Sequence, residues 1–198
     1  GRISIYADND DNFTGDLSTS NATNAGAGTI LVKNLADQFG ELIVDNRGGQ
    51  SVNFGTPLPQ VGAHLITEAQ PLSESRWQIT VEGSPWQASD SGFQFGIDGL
   101  TISLDRSQPQ AQLFQVESNT ENTLIIASET DLSGVVGNYL QGVIQLDRLV
   151  LTNGAWLDIG EDRLSVLEDS TLTIDNGSSI SGDDLSENVI VQAITTGG

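Results

Sequence analysis

Short apolar runs recur at a nearly constant spacing in the second half of this sequence, and they constrain its fold more than any other feature. Between Asp147 and Ser179 the runs are separated by Asn-Gly, Gly and Asp turn residues. The apolar residues that mark them follow one another at intervals of seven or eight residues: Leu149, Leu157, Leu164, Leu172 and Ile180. Strands this short with turn signals this regular are typical of all-β chains, and steady recurrence indicates stacked coils. The pattern predicts a parallel β-helix, that is, a solenoid.

A similar pattern occurs near the start of the chain. The stretch Gly26–Asn46 holds two short apolar runs, Thr29–Lys33 and Glu41–Val44, each closed by polar turn residues. The pattern then stops in a turn-rich connector, residues 45–60, which contains two prolines and indicates a boundary. We therefore expect a first solenoid segment that ends close to residue 56.

Between residues 61 and 141 the predicted strands are longer and their apolar residues alternate more strictly. This alternation predicts seven strands: Ala63–Thr67, Arg76–Val81, Gly92–Phe95, Leu100–Leu104, Gln112–Glu117, Thr123–Ala127 and Gly142–Gln145. Such a series fits a small antiparallel β-sandwich or barrel. A solenoid corner tolerates an insertion, because each doubling of the loop length adds only about 0.6 kcal/mol to the free energy of closing the loop. The sequence therefore predicts an all-β chain with β-helix segments at 1–56 and 142–198 and an inserted antiparallel β module at 57–141.

Composition excludes several classes of function. The 198 residues include no cysteine, which excludes disulfides, thiolate zinc sites and a cysteine nucleophile. With 27 acidic and 7 basic residues the net charge is −20, which disfavours nucleic acids and anionic membrane surfaces as partners. No apolar run is long enough to span a bilayer. The first residue is not methionine, so we expect the chain to be a piece of a longer protein.

Several segments resemble a repeat unit of very long, repetitive bacterial surface and adhesin-like proteins. They read GRISIY, GAGTILVKN, GELIVDN and TPLPQVG in the first third, and SNTENTLIIAS and GVIQLDRLVLTNGAWLDIG later. The resemblance implies a haemagglutinin-like parallel β-helix, displayed at the bacterial cell surface as a stalk or adhesive fibre, without a shared catalytic residue. The expected function is a non-catalytic structural or adhesive module. Its expected partners are neighbouring repeats of the same polypeptide and cell-surface glycans or receptors.

An acidic segment near the start is a candidate calcium site. Asp8, Asp10 and Asn12 occupy the first, third and fifth places of an EF-hand-like loop, with Asp16 at the ninth. Clustered carboxylate and amide oxygens suit calcium. However, Phe13 stands where the sharp-turn glycine belongs, and Asp and Asn are also ordinary turn formers. No cofactor is required by the sequence; calcium is the candidate, and a solvated corner loop is the alternative.

Trp86 is the candidate ligand-binding residue. It lies in a predicted loop among Ser, Asp and Gly residues, where an exposed ring could stack on a sugar. The alternative is packing against the inserted module, as we expect for Trp77. The single histidine, His64, cannot form a triad alone and is predicted to be structural or on the surface. The alternative function is therefore a carbohydrate-binding, lectin-like module, with or without help from calcium.

A third alternative is a polysaccharide lyase or hydrolase built on the β-helix. Such enzymes need carboxylates that converge, with a basic residue in a lyase or a second acid in a hydrolase. The second solenoid segment supplies these charged residues: Asp147, Arg148, Asp158, Glu161, Asp162, Arg163 and Asp175. Their spacing is that of turn residues that face solvent. We therefore expect no catalytic residue in this chain.

Overall fold

The structure is a computed structural model that describes residues 2–7, 27–46, 55–88, 96–108, 112–167, 172–175, 177–185 and 189–191. Strands make up nearly all of the regular structure in these ranges, so the chain is all-β, as predicted. The chain divides into two compact units. The first unit is Gly1–Leu58, Gln145–Gly160 and Leu164–Gly198, and the second is Pro59–Ile144 with Glu161–Arg163. No helix in these ranges is long and apolar enough to cross a membrane.

The described residues form sixteen strands and one short 3₁₀ turn, Ser133–Val135. In chain order the strands are β1 (Arg2–Ala7), β2 (Thr29–Asn34), β3 (Glu41–Asp45), β4 (Thr56–Pro57), β5 (Ala63–Ser73), β6 (Arg76–Val81), β7 (Thr101–Ser103), β8 (Leu113–Asn119), β9 (Thr123–Ala127), β10 (Tyr139–Leu146), β11 (Arg148–Thr152), β12 (Trp156–Asp158), β13 (Arg163–Val166), β14 (Leu172–Ile174), β15 (Ser179–Ser181) and β16 (Val189–Val191). The predicted strands Arg76–Val81 and Thr123–Ala127 are confirmed at both ends. The predicted strand Gly92–Phe95 lies wholly outside the described residues.

Parallel pairs dominate the later part of the first unit. β11 lies between β3 and β14, and β12 lies between β4 and β15, with every one of these pairs parallel. β13 pairs with β16 in the same sense. The recurring apolar residues of the sequence are placed opposite one another by these ladders: Leu149 with Leu172, Leu157 with Ile180 and Leu164 with Val189. Leu149, Leu157 and Leu164 are fully buried, so this spacing supplies the core of the unit.

The five-stranded sheet β1-β2-β3-β11-β14 is mixed rather than purely parallel. β1 and β2 run parallel, but β2 and β3 are antiparallel neighbours, with Ile30 opposite Ile43. The chain reverses in the loop between Asn34 and Glu41, and Gly40 at the end of this loop has a φ of +104°, a conformation that glycine adopts without strain. The side chain of Asp147 accepts the Phe39 and Gly40 N–H groups at 2.7 and 2.6 Å and holds the reversal. The two early apolar runs are therefore one hairpin, not successive strands of a uniform parallel coil.

The second unit contains a ring of antiparallel strand pairs. β10 pairs with β5, and the order continues through β6, β9 and β8 to β7. β7 in turn pairs with β10, where Ser103 lies opposite Gln141, so each of these six strands has two neighbours within the ring. The alternating apolar residues face inward and are fully buried, including Ile79, Leu124 and Ile126. Trp77 belongs to this core, as predicted.

Candidate functional site

The described residues of the second unit form an open cavity of about 510 Å³, which we call the polar pocket. It is built from the turn between β5 and β6, the first residue of β6, the residue before β8 and one in its second half, and the end of β9 with the loop that follows it. The lining side chains are mostly hydroxyl, amide or charged: Ser75, Arg76, Gln112, Glu117, Ala127, Ser128, Glu129 and Thr130. The pocket therefore offers hydrogen-bond donors and acceptors over one concave surface.

An ion pair between Arg76 and Glu117 crosses the pocket. Nη2 of Arg76 lies 2.5 Å from Oε2 of Glu117. Arg76 stands on β6 and Glu117 on β8, and β9 separates the two strands. The strand between them contributes Ala127, the register partner of Arg76, whose short side chain leaves room for the pair. The ion pair thus spans three neighbouring strands.

A β-bulge places Glu117 in the pocket. Val116 lies opposite Ile126 and Ser118 opposite Ile125, so Glu117 is an extra residue with no counterpart on β9. Such a bulge bends the strand and changes the direction of its side chain. The side chain of Glu117 remains about one-third exposed and that of Arg76 more than half exposed, so the pair is open to a ligand.

Hydrogen bonds in the loop after β9 fix the floor of the pocket. The Ser128 N–H donates to the carbonyl oxygen of Ser75 at 3.0 Å and ties this loop to the β5–β6 turn. The Ser128 hydroxyl lies 2.9 Å from the Thr130 hydroxyl and accepts the Thr130 N–H at 3.2 Å. Ser128 is buried, whereas Thr130 and Glu129 are exposed. The loop is therefore held by its own polar groups, and its outer side chains remain accessible.

A buried carboxylate lies elsewhere in the second unit. Asp162 is 1% exposed, and its two oxygens accept the N–H groups of Val61 at 3.1 Å and Gly62 at 2.6 Å. The neighbouring Glu161 accepts the Ala63 N–H at 3.1 Å. Three successive backbone donors at the entry to β5 are therefore bound by two adjacent acids. We call residues 61–63 with Glu161 and Asp162 the carboxylate seat.

Two glycines at the carboxylate seat have different structural reasons. A Cβ atom on Gly142 would overlap the carboxyl group of Asp162, so this position accepts glycine alone without rearrangement. Gly62 has a φ of +82°, a backbone conformation that other residues rarely adopt, and a Cβ atom there would meet Nε2 of His64 at 2.8 Å. Gly142 thus leaves the space that Asp162 fills, and Gly62 provides the backbone conformation at one of its two donors.

Burial governs the ionisation of Asp162. Loss of contact with water raises the pKa of its carboxyl group to about 6, although the hydrogen bonds from Gly62 and Val61 act in the opposite direction. The nearby charge of Glu161 raises this pKa further. A perturbed acid is a common sign of a catalytic site, but both oxygens of Asp162 are used by backbone donors, and Asp162 is not in the lining of the polar pocket. Its arrangement suits anchoring of the main chain.

Trp86, the predicted ligand-binding residue, lies in the core of the second unit and is 7% exposed. Its Nε1–H donates to the carbonyl oxygen of Val61 at 2.9 Å, and Nε2 of His64 lies 2.8 Å from the same oxygen. The rings of Trp86 and His64 meet edge to face, with centroids 5.3 Å apart. This placement favours the packing alternative for Trp86 and gives His64 a structural role.

The other predicted site residues have different outcomes. The candidate calcium ligands Asp8, Asp10, Asn12 and Asp16 lie outside the described residues, and calcium binding there stays a prediction. Within the described ranges, acidic and histidine side chains form no group of three that could hold a metal. The prediction that the acids and arginines of the second segment face solvent is wrong for Asp162 and Arg163. They are 1% and 3% exposed because the 161–163 stretch packs within the second unit.

The polar pocket was not predicted from the sequence. Glu117 occurs at a polar position of an alternating strand, which is indistinguishable from an ordinary solvent-facing residue until the bulge is known. Arg76 and Ser128 bring no motif of their own. Turn residues occur at both 73–75 and 128–130. This was the one signal in the sequence that two loops lie together at the same end of neighbouring strands.

Comparison of the chain with protein-family models, with curated proteins and with solved structures found no match. The resemblance to adhesin-like repeats therefore stays a prediction.

Proposed function

We propose that this chain is a non-catalytic structural and adhesive module of a long extracellular bacterial surface protein. In this proposal the first unit is a stiff spacer, and the second unit presents a surface for contacts. The observation that carries the proposal is the series of parallel ladders in the first unit, in which strands β11, β12 and β13 each pair with the strand one turn later. The proposed module requires no cofactor.

The strand register supports a finer proposal, that β11–β13 and β14–β16 are successive coils of a parallel β-helix. Leu149 pairs with Leu172 and Leu157 with Ile180, both 23 residues apart, and Leu164 pairs with Val189, 25 residues apart. A solenoid requires such a nearly constant repeat, because each coil contacts only its neighbours and must present the same apolar positions to them. The antiparallel β2–β3 hairpin lies outside this repeat.

A polar ladder at one corner supports the same stacking. Asn153 follows β11 and adopts a φ of +58°, typical of a tight corner. Its side-chain amide donates to Asp45, which ends β3, at 2.7 Å, and its backbone N–H donates to Asp175, which follows β14, at 2.7 Å. Equivalent corners of three neighbouring strands are thus joined by side chains, as expected for stacked coils that resist being pulled apart.

Other features favour a contact role over catalysis. The net charge of −20 keeps such a module soluble and repels nucleic acid and anionic lipid headgroups. The acid with the largest described pKa shift is engaged with backbone donors in the carboxylate seat. Neighbouring repeats of the same polypeptide and cell-surface glycans or receptors are the proposed partners.

Single-molecule force spectroscopy tests the spacer role. The full chain is held by its two ends and stretched, and a spacer should resist tension until the first unit gives way in one discrete step. A second step should correspond to the second unit, since the two are separately compact. Extension that rises smoothly, without a discrete step from the first unit, would overturn the proposal.

A further inference from the structure

We infer that the polar pocket binds an uncharged saccharide unit, with Arg76 and Glu117 as its main polar contacts. This inference rests on the contact role proposed above and gives that role a site and a ligand class. It places binding on a different surface from Trp86, which is buried.

The ion pair supplies both kinds of hydrogen-bonding group that a sugar needs. A guanidinium has five N–H donors and a carboxylate has two acceptor oxygens, and the Arg76–Glu117 pair joins one nitrogen to one oxygen. An exposed ion pair of this kind contributes little to the stability of the fold. A gain in stability alone therefore does not explain why Glu117 lies on a bulge beside Arg76. The other N–H groups of Arg76 can donate to a ligand hydroxyl, and the second carboxylate oxygen of Glu117 can accept from it at the same time.

The rest of the lining has the same chemistry. Gln112 and Thr130 are exposed, and each carries a group that both donates and accepts hydrogen bonds. The open cavity of about 510 Å³ has room for a small ligand, since small-molecule sites begin at about 300 Å³. The hydrogen bonds between Ser128, Ser75 and Thr130 fix the floor of the pocket, which reduces the entropy lost on binding.

Charge decides between classes of ligand. Glu117 and Glu129 outnumber Arg76 in the pocket, and the whole chain is strongly acidic, so uronic acids, sulfated sugars and phosphates are repelled. The carboxylate of Glu117 is already paired with Arg76, so of the lining acids only Glu129 is left outside that pair to attract an amine. A neutral polyhydroxylated ring matches the mixed donors and acceptors without an unpaired charge.

A glycan array that carries neutral, acidic and amino oligosaccharides tests the inference on the full chain. We expect binding to neutral oligosaccharides, followed by titration calorimetry with the best of them. Glu117→Gln keeps the shape and removes the charge, and it should weaken binding at least tenfold. Ala127→Leu should abolish binding by filling the space between Arg76 and Glu117. The matched control Glu121→Gln makes the same chemical change at an exposed turn residue that does not line the pocket, and it should bind as the unmodified chain does.

Thermal melting of each variant separates loss of binding from loss of folding. A blank array, binding confined to acidic or amino glycans, or unchanged affinity in both folded pocket variants would overturn the inference. The stretching experiment would be unaffected by any of these results, so failure of the saccharide site is distinguishable from failure of the spacer role.

Discussion

The backbone N–H of Gly62 donates to Oδ1 of Asp162 at 2.6 Å, although 100 residues separate the two in sequence. The other oxygen of the same carboxylate accepts the Val61 N–H. Asp162 is almost fully buried, so removal of its contacts would leave backbone donors in an apolar environment without partners. The entry to β5 thus depends on one acid from a distant turn, and the stability of the second unit should respond to changes in that acid.

The stability of the chain should fall as the pH rises through 6. Asp162 has a pKa of about 6 in the folded chain and an ordinary value of 3.8 when unfolded, so between these values the folded state holds a proton that the unfolded state has lost. Its contribution is complete below pH 3.8 and is lost as the pH rises past 6. A shift of this size corresponds to about 3 kcal/mol of unfolding free energy. Urea denaturation at a series of pH values from 4 to 8 measures it.

Asp162→Asn is the control for this pH dependence. The amide does not titrate, so the difference between the two profiles isolates Asp162 from every other ionisable group. We expect the variant to show a flatter profile across pH 4–7. An identical slope in both proteins would show that Asp162 does not cause the dependence.

Gly142→Ala should destabilise the second unit. The new methyl group would overlap the carboxyl group of Asp162, which is held in place by two backbone donors. Overpacking of this kind costs about 1–3 kcal/mol. Gly134→Ala is the matched control, because a Cβ atom there meets nothing within 4 Å. Denaturation curves in which both variants match the unmodified chain would contradict the proposed tight fit around Asp162.

Trp86 should matter for stability and not for ligand binding. Trp86→Phe keeps most of the ring packing but loses the hydrogen bond to the Val61 carbonyl, at a cost of about 1 kcal/mol. Trp86→Ala should cost about 3–5 kcal/mol because it empties a buried site. Saccharide binding to the polar pocket should survive Trp86→Phe. A folded Trp86→Phe variant that no longer binds glycans would instead support the sequence-based prediction of a Trp86 site.

Asp175 should stabilise the first unit at neutral pH and lose this effect in acid. The Ser178 hydroxyl, followed by the Asn153 N–H, holds the pKa of the exposed Asp175 carboxyl below its ordinary value. The contribution is therefore present above pH 3.8 and is lost as the pH falls through the lower folded pKa. Asp175→Ala should lower the melting temperature at pH 7, whereas Glu74→Ala, at an exposed turn of the second unit, should not. Equal melting temperatures for the two variants would contradict the corner ladder.

Strand positions followed from the sequence more readily than strand directions. β6 and β9 were predicted at both ends because each alternates between a buried and an exposed face over its whole length. β5 continues to Ser73, beyond the predicted Thr67, because its exposed second half is held by pairing with β6 and needs no apolar pattern. The direction of β3 relative to β2 was missed, since an apolar run is the same for either direction of the chain.

The functional features were harder to predict from the sequence, because they depend on contacts between residues far apart in the chain. Asp162 occurs in a Gly-Glu-Asp-Arg turn that resembles an ordinary exposed corner, and its burial follows from partners about 100 residues earlier. The small residue required beside it, Gly142, was predicted to begin a strand and lies inside the observed β10, where no turn requires glycine. Likewise, only a one-residue bulge distinguishes Glu117 from the other polar residues of β8.

A stretching measurement with a designed disulfide tests the proposed stack of coils most directly. Val150 and Thr173 are register partners on β11 and β14, and the chain has no cysteine of its own to interfere. In V150C/T173C the oxidised chain should show a first-unit step shortened by about 80 Å, because the residues between the two positions no longer extend. V150C/I174C is the control, since residues one place out of register point to opposite faces and cannot bridge. A full-length step from oxidised V150C/T173C, or equal bridging in the control, would contradict the parallel register on which the proposed spacer depends.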